Sequence, residues 1–269
     1  MQVITTKPDM RATARFWRAE GLTVALVTTG GGLHGGQLAL VEEARRQADR
    51  VVVALRVGAA EAAPCDLALL QGAGVDAVFV PAAETFEEPG AETIVETTEL
   101  SRGLLGKLLP GHFRAVATRI TRLFNVVQPD VACFGEKDYQ ELCVIRRVVR
   151  DLDMPVRIVG VPSQRDADGL ALSARNAGLR AEDRDAARVL SQALFAAEEM
   201  AQSGITASRL RAWVAATIQA EPRADLQSAD IRDAETLETI AGPLQRPAVI
   251  LLAARFGKVL LIDQRVVCP

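Results

Sequence analysis

Five apolar runs punctuate the first part of the chain: LTVALV (22–27), VVVAL (51–55), VDAVFV (75–80), PDVACFG (129–135) and VRIVGV (156–161). Stretches with helical spacing alternate with them: Met10–Glu20, Gln37–Ala48, a short one ending at Ala68–Gly72, His112–Val127 and Tyr139–Leu152. A run that is apolar at every position is buried on both faces. Helices alternating with such runs therefore predict a parallel sheet covered on both sides. The expected fold is α/β, with a Rossmann-like parallel sheet in the first domain. Ligands of such sheets sit at the carboxyl ends of the strands.

The pattern changes near Asp166. Two helical stretches follow, Ala181–Gln202 and Thr206–Ala220, then LQSADIRD, the turn pair Gly242-Pro243, and the runs AVILLAARF and KVLLID. The short join at Gly257-Lys258 predicts an antiparallel hairpin. The expected division is a domain over 1–166 and a smaller α+β domain over 167–269, with QRDADG (164–169) as linker. The charged stretch Arg180–Arg188 reads as a solvated helix face.

With 269 residues, 49% hydrophobic and a net charge of −3, the chain has the makeup of a globular protein. The slightly acidic balance argues against a broad nucleic-acid surface. MQVITTKPDM has no basic start followed by an apolar core, so it does not read as a signal peptide, and no apolar run reaches bilayer length. The expected location is the cytoplasm. Cys65, Cys133, Cys143 and Cys268 fit no zinc or CxxC spacing; Cys133 and Cys143 lie in apolar segments and read as buried hydrophobes. No metal ligands are expected.

The stretch GGGLHG (30–35) stands after the first apolar run and before a helix. It satisfies G-x-G-x-x-G, the dinucleotide fingerprint. The acidic ribose partner that fingerprint needs at the next strand end is missing, and Arg56 stands there instead, which would suit the 2′-phosphate of an NADP-linked oxidoreductase. The other reading uses His34. Glycines admit a phosphate to the backbone, the helix start favours anions, and a histidine adds a donor where negative charge develops. This follows H-x-G-H logic, with Gln37 in place of the second histidine.

Several longer blocks resemble the pantothenate synthetase (pantoate–β-alanine ligase) family over nearly the whole chain. FNVVQPDVACFGEKDYQELCVIRRVVRDL is similar to the family's F-G-E-K-D-x-Q-Q segment, and VGVPSQRDADGLALSARN to its G-V-P…R…D-G-L-A-x-S-S-R-N. LPGHFRAVAT is similar to R-P-G-H-F-R-G-V, and Thr28–Gln37 to P-T-M-G-x-L-H-x-G-H. The resemblance implies a nucleotidyltransferase domain with a C-terminal lid domain. It implies ATP and Mg²⁺ as cofactors, an acid and an amine as substrates, a pantoyl adenylate intermediate, and a homodimer. ATP is expected at Thr29, Gly31, His34, Gly36, Gly135, Lys137, Asp138, Gln164, Leu172, Ser173 and Arg175, with His34, Gln37, Lys137 and Arg175 closest to the chemistry. Glu61, Glu141, His112 and Arg114 fall on the acid-binding positions.

The acid side departs from the family's pattern. F-V-N-P-x-Q becomes Arg56–Glu61, the second glutamine of D-x-Q-Q becomes Glu141, and the E-D-x-x-x-Y-P-R loop is absent. Leu105, Leu109 and Gly30 stand for a glutamate, an arginine and a methionine, and Ala174 for a serine. Two carboxylates facing an acid would repel it by about 1–4 kcal/mol each. Pantoate is then expected to be a poor substrate. A different acid or amine, or a non-catalytic nucleotide-binding role, stays open beside pantothenate formation.

Overall fold

The computed structural model describes residues 1–30, 32–56, 63–82 and 90–269. In chain order the first elements are β1 (Gln2–Ile4), α1 (Lys7–Ala19), β2 (Val24–Thr29), α2 (Gly35–Gln47), β3 (Arg50–Leu55), α3 (Pro64–Gly72), β4 (Ala77–Phe79), α4 (Leu105–Leu108), α5 (His112–Val127) and β5 (Val131–Gly135). Then come α6 (Tyr139–Asp151), β6 (Arg157–Val161), α7 (Ala181–Ala201), α8 (Ala207–Gln219), β7 (Ala224–Asp233), β8 (Ala248–Phe256) and β9 (Val259–Val267). The chain forms two compact units. One comprises residues 1–101, 111–135 and 144–162; the other comprises 102–110, 136–143 and 163–269.

The first unit holds a six-stranded sheet in the order β1-β4-β3-β2-β5-β6. Every pairing is parallel, as the apolar runs predict. The strands from β2 onward are doubly wound: the chain moves outward through β3 and β4, then returns to the other side of β2 for β5 and β6. The crevice that such an order creates lies at the carboxyl ends of β2 and β5. Alternate residues show how the two faces are used. Ala25, Val27, Val51, Val53, Val131 and Cys133 pack with Leu40, Val41 and Ala44 of α2 and Leu70 of α3. On α1, Met10, Ala14 and Trp17 are buried; on α5, Phe113, Val116, Ala117 and Ile120 are, and the two helices touch. That i, i+3, i+4, i+7 spacing makes one apolar stripe per helix. Full burial of a side chain such as Phe113 contributes about 1.5–3 kcal/mol.

The bounds of α5 coincide with the expectation. Strand β1 was not expected: three residues, of which only Ile4 is buried, carry no readable alternation, and pairing with β4 makes the strand. Helix α1 starts earlier than its apolar spacing suggests, because Thr6 caps it by accepting the Asp9 amide at 3.2 Å.

In the second unit β7, β8 and β9 form an antiparallel sheet covered by α7 and α8. Leu190, Leu194, Leu210 and Val214 pack with Ile250, Leu252 and Phe256. The expected hairpin is β8–β9, closed with Phe256 opposite Val259. The segment expected as a linker is instead a closed turn of this unit. Arg165 bridges Ala171, the Leu172 amide donates to the Gln164 carbonyl at 2.8 Å, and Gly169 makes the turn at φ +86. A side chain at Gly169 would meet Ser191 Oγ at 3.0 Å, so glycine is required by space as well as by dihedral.

Cys133 and Cys143 are buried, as expected, whereas Cys65 and Cys268 are exposed. Burial, with Glu43 adding to it, raises the Cys133 thiol to about 11, so it is neutral at pH 7. A disulfide reagent is expected to titrate two thiols in the native protein and four in denaturant. Rapid native reaction of a third would show that the sheet opens on the labelling timescale.

Candidate functional site

The turn after β2 is held from within the chain. Gly32 takes φ +63, a conformation that favours glycine, and its amide donates to Asp66 Oδ2 at 2.8 Å. The Leu33 amide donates to Asp66 Oδ1 at 3.1 Å. The carboxylate of α3 is 5% exposed and takes both donors, as a bound anion would. His34 then caps α2: its Nδ1 accepts the Gly36 amide at 3.1 Å, and its own amide donates to Gln37 Oε1 at 2.8 Å. That reciprocal arrangement is a capping box.

The amides of Gly32, Leu33, His34 and Gly36 are therefore satisfied inside the protein. A diphosphate would find these four donors already engaged, which weighs against the dinucleotide fingerprint. Nothing in the local sequence pattern singled out Asp66, which lies 34 residues from Gly32. Its only sequence signal is an acidic residue in the first turn of a helix opened by Pro64. Asp66→Asn would place an amide N–H against one of the two donors. It is expected to cost about 1–3 kcal/mol in urea unfolding and to lower the catalytic rate; unchanged values of both would show that the turn stands without the carboxylate.

Other predicted residues of this unit gather at the same edge of the sheet. Thr29 ends β2, 8% exposed, and its Oγ1 has no hydrogen-bond partner among the described residues. A buried hydroxyl left over at a strand end is free to meet a water or a ligand. Gly135 ends β5, which pairs with β2 through Val27 and Cys133. Arg56 follows β3; its amide donates to the Thr29 carbonyl at 2.8 Å, and its guanidinium lies over Gly30, Nη2 being 3.4 Å from where a Cβ would stand. Helix α5 leads into β5 and runs against the strands, so its first turn, with His112 and Arg114, faces this carboxyl edge. Gly111 caps it at φ +81, and the His112 ring meets Phe113 edge-on at 5.0 Å. Gly31 and Glu61 lie outside the described residues.

The second unit carries the rest. Glu136–Asp138 form one turn of 3₁₀ helix directly after β5. Lys137 and Asp138 make no ion pair with each other or with any described residue. Their charges are thus not consumed in a surface bridge. Glu141 sits in the first turn of α6, beside Gln140, the first glutamine position of D-x-Q-Q, to which the sequence pattern assigns no role. Gln140 is 5% exposed; its Oε1 accepts the Leu105 amide at 3.0 Å and its Nε2 donates to the Gly103 carbonyl at 2.9 Å. It clamps the left-handed bend at Leu104.

The turn that bears Gln164 and Leu172 is fastened by ion pairs. Arg165 binds Asp263 at 2.7 Å, and Arg184 binds Asp166 at 2.7 Å and Asp168 at 2.9 Å. Burial pushes the Asp168 carboxyl up, but the Leu170 amide and Arg184 outweigh it and hold the carboxyl below the ordinary range. The stability this gives is present above the ordinary carboxylate range and is lost as pH falls through the lowered value. Next, Ser173 Oγ accepts the Arg175 amide at 3.2 Å and starts a short turn over 174–178. Arg175 Nη1 reaches the Leu260 carbonyl at 3.4 Å. Among the described residues buried Ser163 Oγ and Asn176 Oδ1 have no partner, so both are open to a water or a ligand.

The chain is similar to known proteins over nearly its whole length. A profile of the pantoate-beta-alanine ligase family matches residues 2–266. The pantothenate synthetase of Bartonella henselae is 44% identical over 98% of each chain, and that of Heliobacterium modesticaldum is 44% identical over 99% of each. The pantothenate synthetase structure from Thermus thermophilus superposes with a TM-score of 0.90 at 39% identity, over 100% of both chains. A Francisella tularensis pantoate-beta-alanine ligase, solved with beta-gamma ATP and β-alanine, gives 0.78 at 25% identity, over 99% of this chain and 97% of that one. With its whole sheet, both flanking motifs and its C-terminal unit matched end to end, the chain belongs to the pantoate–β-alanine ligase family.

Proposed function

We propose that this protein joins pantoate to β-alanine at the expense of ATP and releases AMP and pyrophosphate. One observation carries the reading: the family match runs through every block that holds a candidate residue, from the His34 turn to the Ser173 loop. In the first step the pantoate carboxylate attacks the α-phosphorus, the acyl–phosphate bond forms, and the bond to the pyrophosphate oxygen breaks. Charge grows on the phosphoryl oxygens, where the Lys137 ammonium and His34 act as fixed donors. Arg175 serves the leaving pyrophosphate and Asp138 the ribose hydroxyls. In the second step the β-alanine amine attacks the acyl carbon, loses a proton, and AMP departs. His112, Arg114 and Glu141 are assigned to the acid.

Mg²⁺ enters as the counter-ion of the triphosphate. Among the described residues no three His, Cys, Asp or Glu side chains cluster to hold a metal, and a nucleotide-borne Mg²⁺ needs no such cage. The sheet is read as Rossmann-like from its winding, with a catalytic domain over 1–166 and a C-terminal domain over 167–269. Among the described residues no helix is long and apolar enough to cross a membrane, and the reaction of small polar molecules suits the cytoplasm. A homodimer is proposed, at twice the chain's 28.8 kDa in light scattering.

The shifted-substrate reading has less behind it. Relatives 44% identical over nearly the full length are pantothenate synthetases, and Glu61 lies outside the described residues. The test is pantothenate formation from pantoate, β-alanine and ATP, followed by mass spectrometry, with other acids and amines alongside. Pyrophosphate release with another pair but not with this one would overturn the proposal.

A further inference from the structure

The capping box decides the chemical state of His34. A ring nitrogen that accepts an amide hydrogen carries a lone pair and no proton. Gly36 donates to Nδ1 at 3.1 Å, so the neutral ring holds its proton on Nε2. The backbone that aims this ring is fixed twice over. The Gln37 and Leu38 amides both donate to the His34 carbonyl, at 3.0 and 3.2 Å, and the His34 amide donates to Gln37 Oε1 at 2.8 Å. Without that side-chain carbonyl the His34 amide would lose its partner at a half-buried helix start, and the ring's seat on Gly36 would lose its support. Glutamine suits this task because it has a carbonyl acceptor and no titrating group, so its own half of the cap does not change with pH.

We propose that Gln37 is a positioning residue for adenylation. Its Oε1 holds the His34 backbone so that the imidazole accepts at Nδ1 and presents Nε2–H as a neutral hydrogen-bond donor to phosphoryl oxygens. No proton is transferred at position 37, and His34 contributes a donor rather than an acid. This rests on the adenylating reading above, but its first readout needs no substrate.

The chain has two histidines, His34 and His112. In protein labelled with ¹⁵N-histidine, long-range proton–nitrogen correlation separates the two tautomers, and His34→Asn assigns the signals. At pH 8 the wild-type ring is expected to show a protonated Nε2 and a bare Nδ1, and ATP alone is expected to shift the Nε2 signal. Gln37→Met, of similar length but without the acceptor, is expected to mix the tautomers and slow pyrophosphate release about tenfold, a fraction of the loss of a full oxyanion donor. Gln37→Glu keeps the acceptor and is expected to keep the wild-type tautomer. A wild-type ring protonated at Nδ1 would overturn the proposal. So would a slowed Gln37→Met enzyme that keeps the wild-type tautomer, since Gln37 would then touch the ligand itself. An intact tautomer in a protein that makes no pantothenate would count against the functional reading alone.

Discussion

Replacing Lys137 by alanine is expected to slow pantoyl adenylate formation by about 10²–10³-fold, with little change in stability. Lys137 lies in the single turn after β5 and forms no ion pair among the described residues. Its removal breaks no ion pair among the described residues, so unfolding is expected to stay within about 0.5 kcal/mol of wild type. The lost charge is missed where phosphoryl charge develops, so the rate should fall more than ATP binding. Lys137→Arg is expected to restore little, because a planar fork does not replace a compact ammonium. Stopped-flow pyrophosphate release and calorimetric ATP titration separate the two effects. An alanine variant with the wild-type rate would remove Lys137 from the mechanism.

Asp263→Ala is expected to destabilise the second unit by about 3–5 kcal/mol. The side chain is 2% exposed and takes both terminal nitrogens of Arg165, at 2.7 and 3.0 Å. It also accepts the Gln264 amide at 2.8 Å. Arg165 in turn donates to the Gly169 carbonyl and lies 5.3 Å from the centre of the Phe195 ring. Deleting the carboxylate leaves a guanidinium buried without its counter-charge. Exchanging both partners, Arg165→Met with Asp263→Leu, is expected to recover much of the loss, because no charge then remains buried. The turn that carries Gln164 and Leu172 hangs from this pair, so the single variant should also raise the KM for ATP. Equal urea midpoints for wild type and Asp263→Ala would refute the assignment.

The parts of the protein written in local repeats were legible in its sequence. Runs such as VVVAL are apolar at every position, and only a strand covered on both faces buries that, hence the parallel sheet. The stripe from Phe113 to Ile120 has the period of one helix, and its ends coincide with α5. The two-residue join at Gly257-Lys258 admits little besides a hairpin. Motif blocks around His34, Lys137 and Ser173 carried the family, because they match its pattern in type and order.

Tertiary structure alone decided the rest. Asp66 and Gly32 meet across 34 residues, and Arg165 and Asp263 across 98; a hydrogen bond between such positions leaves no period in either stretch. QRDADG has a linker's composition, yet ion pairs to α7 and β9 close it into a turn. Strand β1 exists because β4 offers it an edge. Gln37 stands where the family's motif has a histidine, and the fold turns its carbonyl to the helix cap. Which atom of a side chain is used depends on what stands within about 3 Å of it, and folding sets that distance between groups far apart along the chain.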